Sequence, residues 1–246
     1  MLANGDIGEG KLPSEETLME YVLKELAFPK DLAGKKILVT AGATREAIDP
    51  VRYITNHSTG KMGYALAKMA MLRGAEVTLV TGVTALEAPM FLEVKKTVSA
   101  EEMYQEVIRL APRMDVIIKA AAVADYRPSE VAEDKIKKSD GKAQINLERT
   151  RDILAELGRM KSEGKIHSFL CGFSMETRDL EENSKAKLEK KNLDMIAANN
   201  LKVEGAGFGT DTNVVTLITR EDVICLERMD KAEVALEILN QVRDRG

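Results

Sequence analysis

The sequence predicts an α/β protein of Rossmann-like type, in which a mainly parallel sheet forms the middle of three layers. Short apolar runs bounded by glycine or polar residues alternate with segments whose apolar residues recur at helical spacing. This alternation is typical of a parallel sheet covered by helices on both faces. The 246 residues are 44% hydrophobic and 31% charged, an ordinary globular balance. A chain of this length folds without needing a metal or a disulfide.

The elements are predicted from the period of the apolar residues and from capping signals. Lys36–Ala41 is a buried strand closed by Gly42, and an amphipathic helix runs from Gly60 to Arg73. Ser99 and Glu102 form a capping box for a helix that ends at residue 110. Further strands are predicted at 76–81, 115–122, 143–147, 168–173 and 194–198, further helices at 152–162, 180–192 and 231–242, and a C-terminal hairpin at 213–218 and 223–226.

Two regions fall outside this rhythm. Residues 1–33 are predicted to be a tail and linker, polar and glycine-rich up to Pro13 and then helical from Ser14 to about Pro29. Residues 34–246 would form the main domain. Within it, residues 124–142 are predicted to be a long loop, and loops of that length are usually functional or disordered.

The composition limits the classes of function. The net charge of −4 provides no basic field for nucleic acid. Cys171 and Cys225 lie in apolar runs, which suits a reducing compartment, and two histidines make a structural zinc site improbable. We find no signal peptide and no apolar run long enough to span a membrane. We therefore expect a cytoplasmic protein that binds neither nucleic acid nor membrane.

A dinucleotide-binding oxidoreductase is one alternative. Gly42 is well separated from Gly60 and Gly63, so there is no G-x-G-x-x-G, and the second strand ends without an acidic residue to bind a ribose. Tyr64 and Lys68 do form the Y-x-x-x-K pair of short-chain dehydrogenases, but in the helix that would face phosphates. An NAD(P)-dependent oxidoreductase of the short-chain type stays open as the weaker hypothesis.

The loop after the first strand carries the candidate phosphate or substrate site. Ser58, Thr59 and Gly60 open a helix, whose free N–H groups and positive dipole end bind phosphate or carboxylate. Asn56 adds an amide donor beside that end, and Gly42 closes the preceding strand. A helix with a polar entry loop and no ligand is an equally good interpretation of these residues alone.

Two groups of lysines are candidates for binding anions. The run Lys135–Lys138 lies on a loop bounded by proline and glycine, as a mobile lid would, although short basic runs are usually just solvated. Lys187 and Lys191 lie one turn apart on a predicted helix, where like charges repel unless an anion is bound. On the residues alone, a salt-bridged surface helix is the favoured interpretation of that pair.

Seven segments form a series of motifs along the chain: Thr40–Glu46, Asp49–Ile54, Asn56–Gly63, Ala121–Pro128, Lys135–Lys138, Gly172–Thr177 and Gly207–Asn213. In this order, they resemble the successive motifs of bacterial phosphopantothenoylcysteine synthetase, the phosphopantothenate–cysteine ligase. The resemblance covers about residues 34–246, and motifs of this length in sequence are highly specific.

The resemblance implies a reaction and its participants. The substrates would be 4′-phosphopantothenate, L-cysteine and CTP, and the products phosphopantothenoylcysteine, CMP and pyrophosphate, in coenzyme A biosynthesis. A phosphopantothenoyl-CMP mixed anhydride would be the intermediate, with Mg²⁺ beside the phosphates. Related eukaryotic enzymes use ATP, so CTP rests on similarity to the bacterial motifs. The family also implies a homodimer with the active site near the subunit contact. A nucleotide-binding subunit without catalysis is the remaining alternative.

The resemblance also assigns roles to residues. Asn56 would support the anhydride and its conversion, Lys135 would serve anhydride formation from the lid, and Arg52 is a further catalytic candidate. The metal ligands stay unassigned. The nucleotide would be bound by Lys119, Ala120, Ala121, Asp125, Lys135, Asp152, Ile153, Leu154, Phe173, Lys187 and Lys191.

The chain departs from the family at a few positions. Arg151 precedes Asp152 where members often have proline, Ala43 and Ala47 stand where proline is common, and Asn200 stands where aspartate is common. Residues 2–11 resemble the end of a flavin-dependent decarboxylase domain, with Asn4 in place of its proton-donating cysteine. We expect no FMN in this chain, and a separate flavin-dependent decarboxylase is a candidate partner.

Overall fold

The computed structural model describes residues 12–138, 144–176, 179–200 and 209–246. The helices of the described part are α1 (Glu15–Leu26), α2 (Lys61–Leu72), α3 (Ala100–Leu110), α4 (Ile153–Ser162), α5 (Leu180–Lys190) and α6 (Lys231–Arg245). The strands are β1 (Lys36–Ala41), β2 (Arg45–Ala47), β3 (Tyr53–Thr55), β4 (Glu76–Thr81), β5 (Glu93–Lys96), β6 (Val116–Lys119), β7 (Tyr126–Pro128), β8 (Leu147–Arg149), β9 (Phe169–Glu176), β10 (Met195–Asn200), β11 (Thr212–Asn213), β12 (Val215–Thr219), β13 (Val223–Cys225) and β14 (Met229–Asp230).

The central sheet has the strand order β13-β12-β10-β9-β6-β1-β4-β5. The strands from β10 to β5 are parallel, and β12 and β13 add an antiparallel hairpin at one edge. The mainly parallel Rossmann-like sheet and its C-terminal hairpin are thus confirmed. The predicted helices are also present, with ends that differ by no more than three residues.

Both faces of the sheet are buried, which explains why its strands are apolar at successive positions. Ile37 and Val39 of β1 pack with α2 and α6, whereas Leu38 between them packs with α3 and α4 on the other face. Strand β1 lies in the middle of the sheet, with Ile37 beside Val77 of β4 and Val116 of β6. Two hydrophobic layers therefore enclose the sheet and hold it rigid.

The loop regions contain short strands that the sequence pattern did not reveal. β2 and β3 form a ribbon inside the polar loop after β1, and β7 pairs with β8 beside it. The strand predicted at 143–147 is wrong for residues 144–146, since pairing begins at Leu147. Its apolar residues, Ile145 and Leu147, are 45% and 49% exposed and do not face the core.

The strand order reverses between β1 and β6. From β1 the chain moves outward through β4 and β5, whereas β6, β9 and β10 extend the other way. In open α/β sheets, ligands bind in the crevice at the carboxyl ends of the strands where the order reverses. Gly42 follows β1 at this point, with a positive φ of 76° and its backbone against Gly82 after β4.

The segment before β1 packs against the helices. Leu32 is buried, and the Asp31 carboxylate accepts hydrogen bonds from the Arg73 guanidinium at 2.9 and 2.6 Å. Asp31 also lies 3.2 Å from Arg243 near the end of α6, and the Lys35 ammonium donates to the carbonyl of Gly246 at 3.4 Å. None of the helices in the described part is long and apolar enough to cross a membrane.

Candidate functional site

A cleft of about 680 Å³ opens at the carboxyl ends of the parallel strands. It lies beside the reversal of strand order, where a ligand site is expected for this fold. Most residues singled out in the sequence line it: Asn56, Ser58, Thr59, Gly60, Lys119, Ala120, Ala121, Asp125, Asp152, Ile153, Leu154, Phe173, Lys187 and Lys191.

The N-terminus of α2 forms one side of the cleft. Gly60 occupies the N-cap with a positive φ of 85°, and a Cβ at this position would lie 3.1 Å from the backbone nitrogen of Gly42. The first intrahelical hydrogen bond is donated by Tyr64 to the Gly60 carbonyl. Because Gly60 has no side chain with which to cap the helix, the N–H groups of the first turn are available to an anion.

Gly63 brings this helix close to the sheet. A Cβ on Gly63 would lie 2.5 Å from the Cβ of Ala41 and 2.8 Å from the carbonyl oxygen of Thr40. Only glycine permits this approach, since real Cβ atoms do not come so near their neighbours. The glycines of the Asn56–Gly63 motif therefore set the position of the anion-binding helix end relative to β1.

Asn56 follows β3 and connects the β2–β3 ribbon to the cleft. Its amide nitrogen donates to the carbonyl of Ala122 at 3.1 Å, and the Ala122 N–H donates to the Gly42 carbonyl at 2.9 Å. These bonds join the loops after β3, β6 and β1. The Asn56 side chain is exposed to the cleft, so its amide is held in place while remaining accessible to a ligand.

A lysine cluster forms another side of the cleft. Lys191 makes an ion pair with Asp152 at 2.7 Å, and Asp152 also caps α4 by accepting the Ala155 N–H at 3.0 Å. Burial raises the pKa of Asp152, but the Lys191 and Ala155 hydrogen bonds outweigh that effect and the net pKa is lowered. Lys187 lies on α5 beside them.

Lys119 ends β6 within the same cluster. Its removal from water, and then the positive charge of Lys191, lower its pKa to about 8, although Asp152 and Asp125 oppose this change. A lysine with this pKa is partly neutral near physiological pH. Lys119, Lys187 and Lys191 bring positive charge to this region of the cleft, which suits a phosphate-bearing ligand.

Two further lysines lie at the α2 end of the cleft and were not identified as site residues from the sequence. Lys61 donates to the Asp211 carboxylate at 2.7 Å and to the Gly209 carbonyl at 3.1 Å. Lys231, at the start of α6, donates to the carbonyl of Thr210; burial, then the charge of Lys61, lower the pKa of Lys231. Lys61 lies in the Asn56–Gly63 motif, which could have identified it as a site residue. No sequence pattern connects Lys231 to the site.

A buried amide pair was missed as well. Asn213 donates to the side-chain oxygen of Asn199 at 3.2 Å, and both residues line the cleft. Phe173 on β9 lies beside Ala197 of the neighbouring strand β10 and adds an aromatic face to the wall. Amides beside an aromatic ring are suited to recognise a nucleobase, since they combine hydrogen bonding with stacking.

Three expected site residues lie outside the cleft wall formed by the described residues. Gly42 lies beneath Gly60, where it supports the helix end. Arg52 pairs with Asp49 in the turn between β2 and β3. Lys135 is exposed on the segment that follows β7. The residues 177 and 207–208 of two recognised motifs lie outside the described residues.

The Y-x-x-x-K pair is engaged elsewhere. The Tyr64 hydroxyl lies 3.3 Å from the Thr81 hydroxyl in the core, and the Lys68 ammonium pairs with Glu20 of α1 at 2.7 Å. Neither side chain lines the cleft wall formed by the described residues. The geometry therefore gives no support to a short-chain oxidoreductase. No group of three or more potential metal ligands occurs among the described residues.

Comparison with known proteins gives consistent results. The profile of the family described as DNA/pantothenate metabolism flavoprotein C-terminal domain matches residues 32–245. The coenzyme A biosynthesis bifunctional protein CoaBC of Bacillus subtilis is 45% identical over 245 residues, 98% of this chain and 59% of that protein. Its counterpart in Vibrio vulnificus is 44% identical over 98% of this chain and 60% of that protein. The chain thus spans about three fifths of these relatives.

Solved structures show the same fold. The crystal structure of the C-terminal domain of a CoaBC protein is similar with a TM-score of 0.74 and 45% identity, over 87% of this chain and 97% of that one. A mutant of Cab2 in complex with phosphopantothenate-cysteine has a TM-score of 0.71 at 18% identity, over 96% of this chain and 95% of that one. At that identity the similarity concerns the fold alone.

Proposed function

Because the chain belongs to the DNA/pantothenate metabolism flavoprotein C-terminal domain family, we propose that it joins 4′-phosphopantothenate to L-cysteine in coenzyme A biosynthesis. The observation that carries the proposal is the cleft, in which Asn56, the free end of α2 and the lysine cluster meet. The names of the longer relatives and the motif resemblance point to the same pathway. A cleft with positive charge at two sides suits a reaction between phosphate-bearing molecules.

The proposed first step activates the carboxylate. An oxygen of the phosphopantothenate carboxylate attacks the α-phosphorus of CTP, the bond from that phosphorus to the β-phosphate bridge breaks, and pyrophosphate leaves. Negative charge shifts within the phosphates during this step, so fixed positive groups stabilise it. Lys119, Lys187 and Lys191 would bind the nucleotide, and Lys135 would approach the transferring phosphate.

The proposed second step forms the amide. The cysteine amine attacks the acyl carbon of the mixed anhydride, CMP leaves, and the amine nitrogen loses a proton. The tetrahedral intermediate carries an oxyanion, which requires a placed donor. Asn56 is our candidate for this donor, since its hydrogen bond to Ala122 fixes an amide that is still accessible from the cleft.

The choice of CTP belongs to the proposal and follows from the resemblance to the bacterial motifs. Mg²⁺ would accompany the nucleotide and neutralise phosphate charge. Asp125 and Asp152 are the carboxylates in the cleft wall formed by the described residues, and Asp152 is paired with Lys191. This set fits an ion bound chiefly by phosphates and water, with Asp125 as the available protein ligand.

We also propose that the protein acts as a homodimer. The two ribbons beside the cleft expose apolar side chains, including Val51 at 59%, Tyr53 at 46% and Tyr126 at 46%. Exposed apolar residues grouped on one surface are typical of an interface. Arg52 bonds to Ile136 beside Lys135, and neither Arg52 nor Lys135 lines the cleft wall formed by the described residues; in the proposed dimer, a second copy brings such residues to a shared site.

The proposed decarboxylase partner stays a prediction. The relatives are bifunctional proteins of which this chain spans about three fifths. The segment that motivated the prediction, residues 2–11, lies outside the described residues.

Pyrophosphate release tests the proposal. The protein is incubated with CTP, phosphopantothenate and Mg²⁺, with and without L-cysteine, with ATP in parallel, and the amide product is detected by mass. We expect cysteine-dependent turnover on CTP, lost in Lys187→Gln and retained in Lys190→Gln, an exposed lysine on the same helix that does not line the cleft. Turnover on ATP alone would overturn the choice of nucleotide. No pyrophosphate from either nucleotide would favour a non-catalytic nucleotide-binding subunit.

A further inference from the structure

Asp49 is a buried carboxylate that does not line the cleft, yet it has several hydrogen-bond partners. Its Oδ1 atom accepts the N–H groups of Val51 at 2.9 Å and Arg52 at 2.8 Å, which closes the turn between β2 and β3. Its Oδ2 atom accepts the Arg52 guanidinium and also the N–H of Ile136, at 3.1 Å. One oxygen therefore holds the turn, and the other binds a distant segment, residues 132–138, which we call the Lys135 segment.

Arg52 completes the contact with that segment. Its guanidinium donates to the carbonyl oxygen of Ile136 at 3.0 Å, so the Asp49–Arg52 pair holds both the N–H and the C=O of one residue. Near by, the N–H of Ala132 donates to the carbonyl of Ile48 at 3.1 Å. The segment is thus attached to the ribbon at two points four residues apart.

Ile136 lies between this contact and a candidate site residue. Ile136 directly follows Lys135, the candidate for anhydride formation, and the ribbon that holds it leads directly from β3 into Asn56. Asp49 therefore connects the backbone beside Lys135 to the element that ends in Asn56. Burial of a carboxylate is costly unless its hydrogen bonds are satisfied, so the geometry around Asp49 is stringent.

We propose that Asp49 is a positioning residue that holds the Lys135 segment in register with Asn56 through the backbone of Ile136. It touches no substrate itself and acts through Lys135. The role of Lys135 rests on the proposed function. The tether, meaning the hydrogen bonds from Asp49 and Arg52 to Ile136, does not.

Asp49→Asn separates the two purposes of the carboxylate. In the orientation that retains the turn, the single side-chain oxygen accepts hydrogen bonds from the N–H groups of Val51 and Arg52, and the NH₂ group faces Ile136. The new NH₂ group cannot accept the Ile136 N–H and does not attract the Arg52 guanidinium. The variant therefore releases the segment while preserving the ribbon.

A double-mutant cycle tests whether Asp49 acts through Lys135. We expect Asp49→Asn to raise KM for the nucleotide or lower kcat about tenfold, the size of one hydrogen bond to a charged group. In a Lys135→Gln background the same change should have less than about a twofold effect, because coupled residues are not additive. Equal effects in both backgrounds would overturn the proposal.

Hydrogen exchange measured by mass spectrometry provides a readout that needs no turnover. Peptides covering 132–138 should exchange faster in Asp49→Asn than in the wild type, while those covering β1 and β4 are unchanged. Asp31→Asn is the matched control, since it also breaks a carboxylate–arginine pair but lies away from the cleft. It should leave kcat, KM and exchange at 132–138 unaltered.

The outcomes distinguish the inference from the proposed function. Unchanged exchange at 132–138 in Asp49→Asn would overturn the tether whether or not the protein is a ligase. Faster exchange without any effect on KM or kcat in an active enzyme would overturn the positioning role. An inactive wild type would overturn the proposed function and, with it, the role assigned to Asp49.

Discussion

The charge of Lys119 should make nucleotide binding depend on pH above neutrality. With a pKa of about 8 in the free protein, this side chain is about 90% protonated at pH 7, about 50% at pH 8 and about 9% at pH 9. A bound phosphate favours the ammonium and raises its pKa. Nucleotide binding above pH 8 is therefore accompanied by uptake of a proton, and the affinity for the nucleotide falls as the pH rises. If only the protonated form binds, affinity falls about tenfold from pH 7 to pH 9.

Calorimetric titration with CTP checks this in buffers of different ionisation enthalpy. At pH 8 we expect the apparent enthalpy to depend on the buffer, because a proton is taken up on binding. Lys119→Arg stays charged throughout this range and should remove both the buffer dependence and the slope with pH. Lys119→Met should bind weakly at every pH. A wild-type affinity that is constant from pH 7 to pH 9 would refute the reasoning, since Lys119 would then not contact the nucleotide as a cation.

Substitutions at three other positions test how the cleft and the fold beneath it are supported. Gly158→Ala would place a Cβ 1.9 Å from the Lys191 carbonyl oxygen, so we expect overpacking to lower the free energy of unfolding by about 1–3 kcal/mol. The same displacement of Lys191 should reduce nucleotide affinity. Urea unfolding measures the first effect and CTP titration the second. Asp152→Asn should retain the cap of α4 and lose the charge that pairs with Lys191, whereas Asp152→Ala should cost about a further 1 kcal/mol in the same unfolding assay. Leu32→Ala should lower stability by about 2–5 kcal/mol with KM unchanged, because Leu32 is fully buried far from the cleft. An unaltered unfolding midpoint in Gly158→Ala, Asp152→Ala or Leu32→Ala would contradict the contacts described.

The sheet could be predicted because its strands are buried on both faces. β1 and β4 each place five consecutive buried residues in one apolar run, a signal that needs no knowledge of the partner strands. The ribbons gave no such signal. β2 and β7 have three residues each, and each strand has a single buried residue, so neither their length nor their burial produces a period. The alternation of Ile145 and Leu147 was misleading because both face solvent.

Parts of the candidate site were predictable for a similar reason. Asn56, Ser58 and Gly60 lie in one continuous motif, so the sequence already places them together. The approach of Lys231 to Lys61 depends on α6 packing beside α2, which follows from the strand order and from no local pattern. The lowered pKa of Lys119 and the hydrogen bonds of Asp49 likewise depend on burial and distant partners, which a sequence does not display.

The contacts before β1 and after α6 bring the two ends of the sheet domain together. Asp31 joins Arg73 to Arg243, and Lys35 reaches the carbonyl of Gly246, all at the end of the sheet opposite the cleft. A short glycine-rich linker from Gly246 to the residues just before Asp31 would close the domain into a ring that keeps Asp31 and Leu32. New termini could then be opened in the exposed turn between β12 and β13. Such a circular permutant would keep every wall of the cleft, so the covalent order of the chain is separable from its binding chemistry.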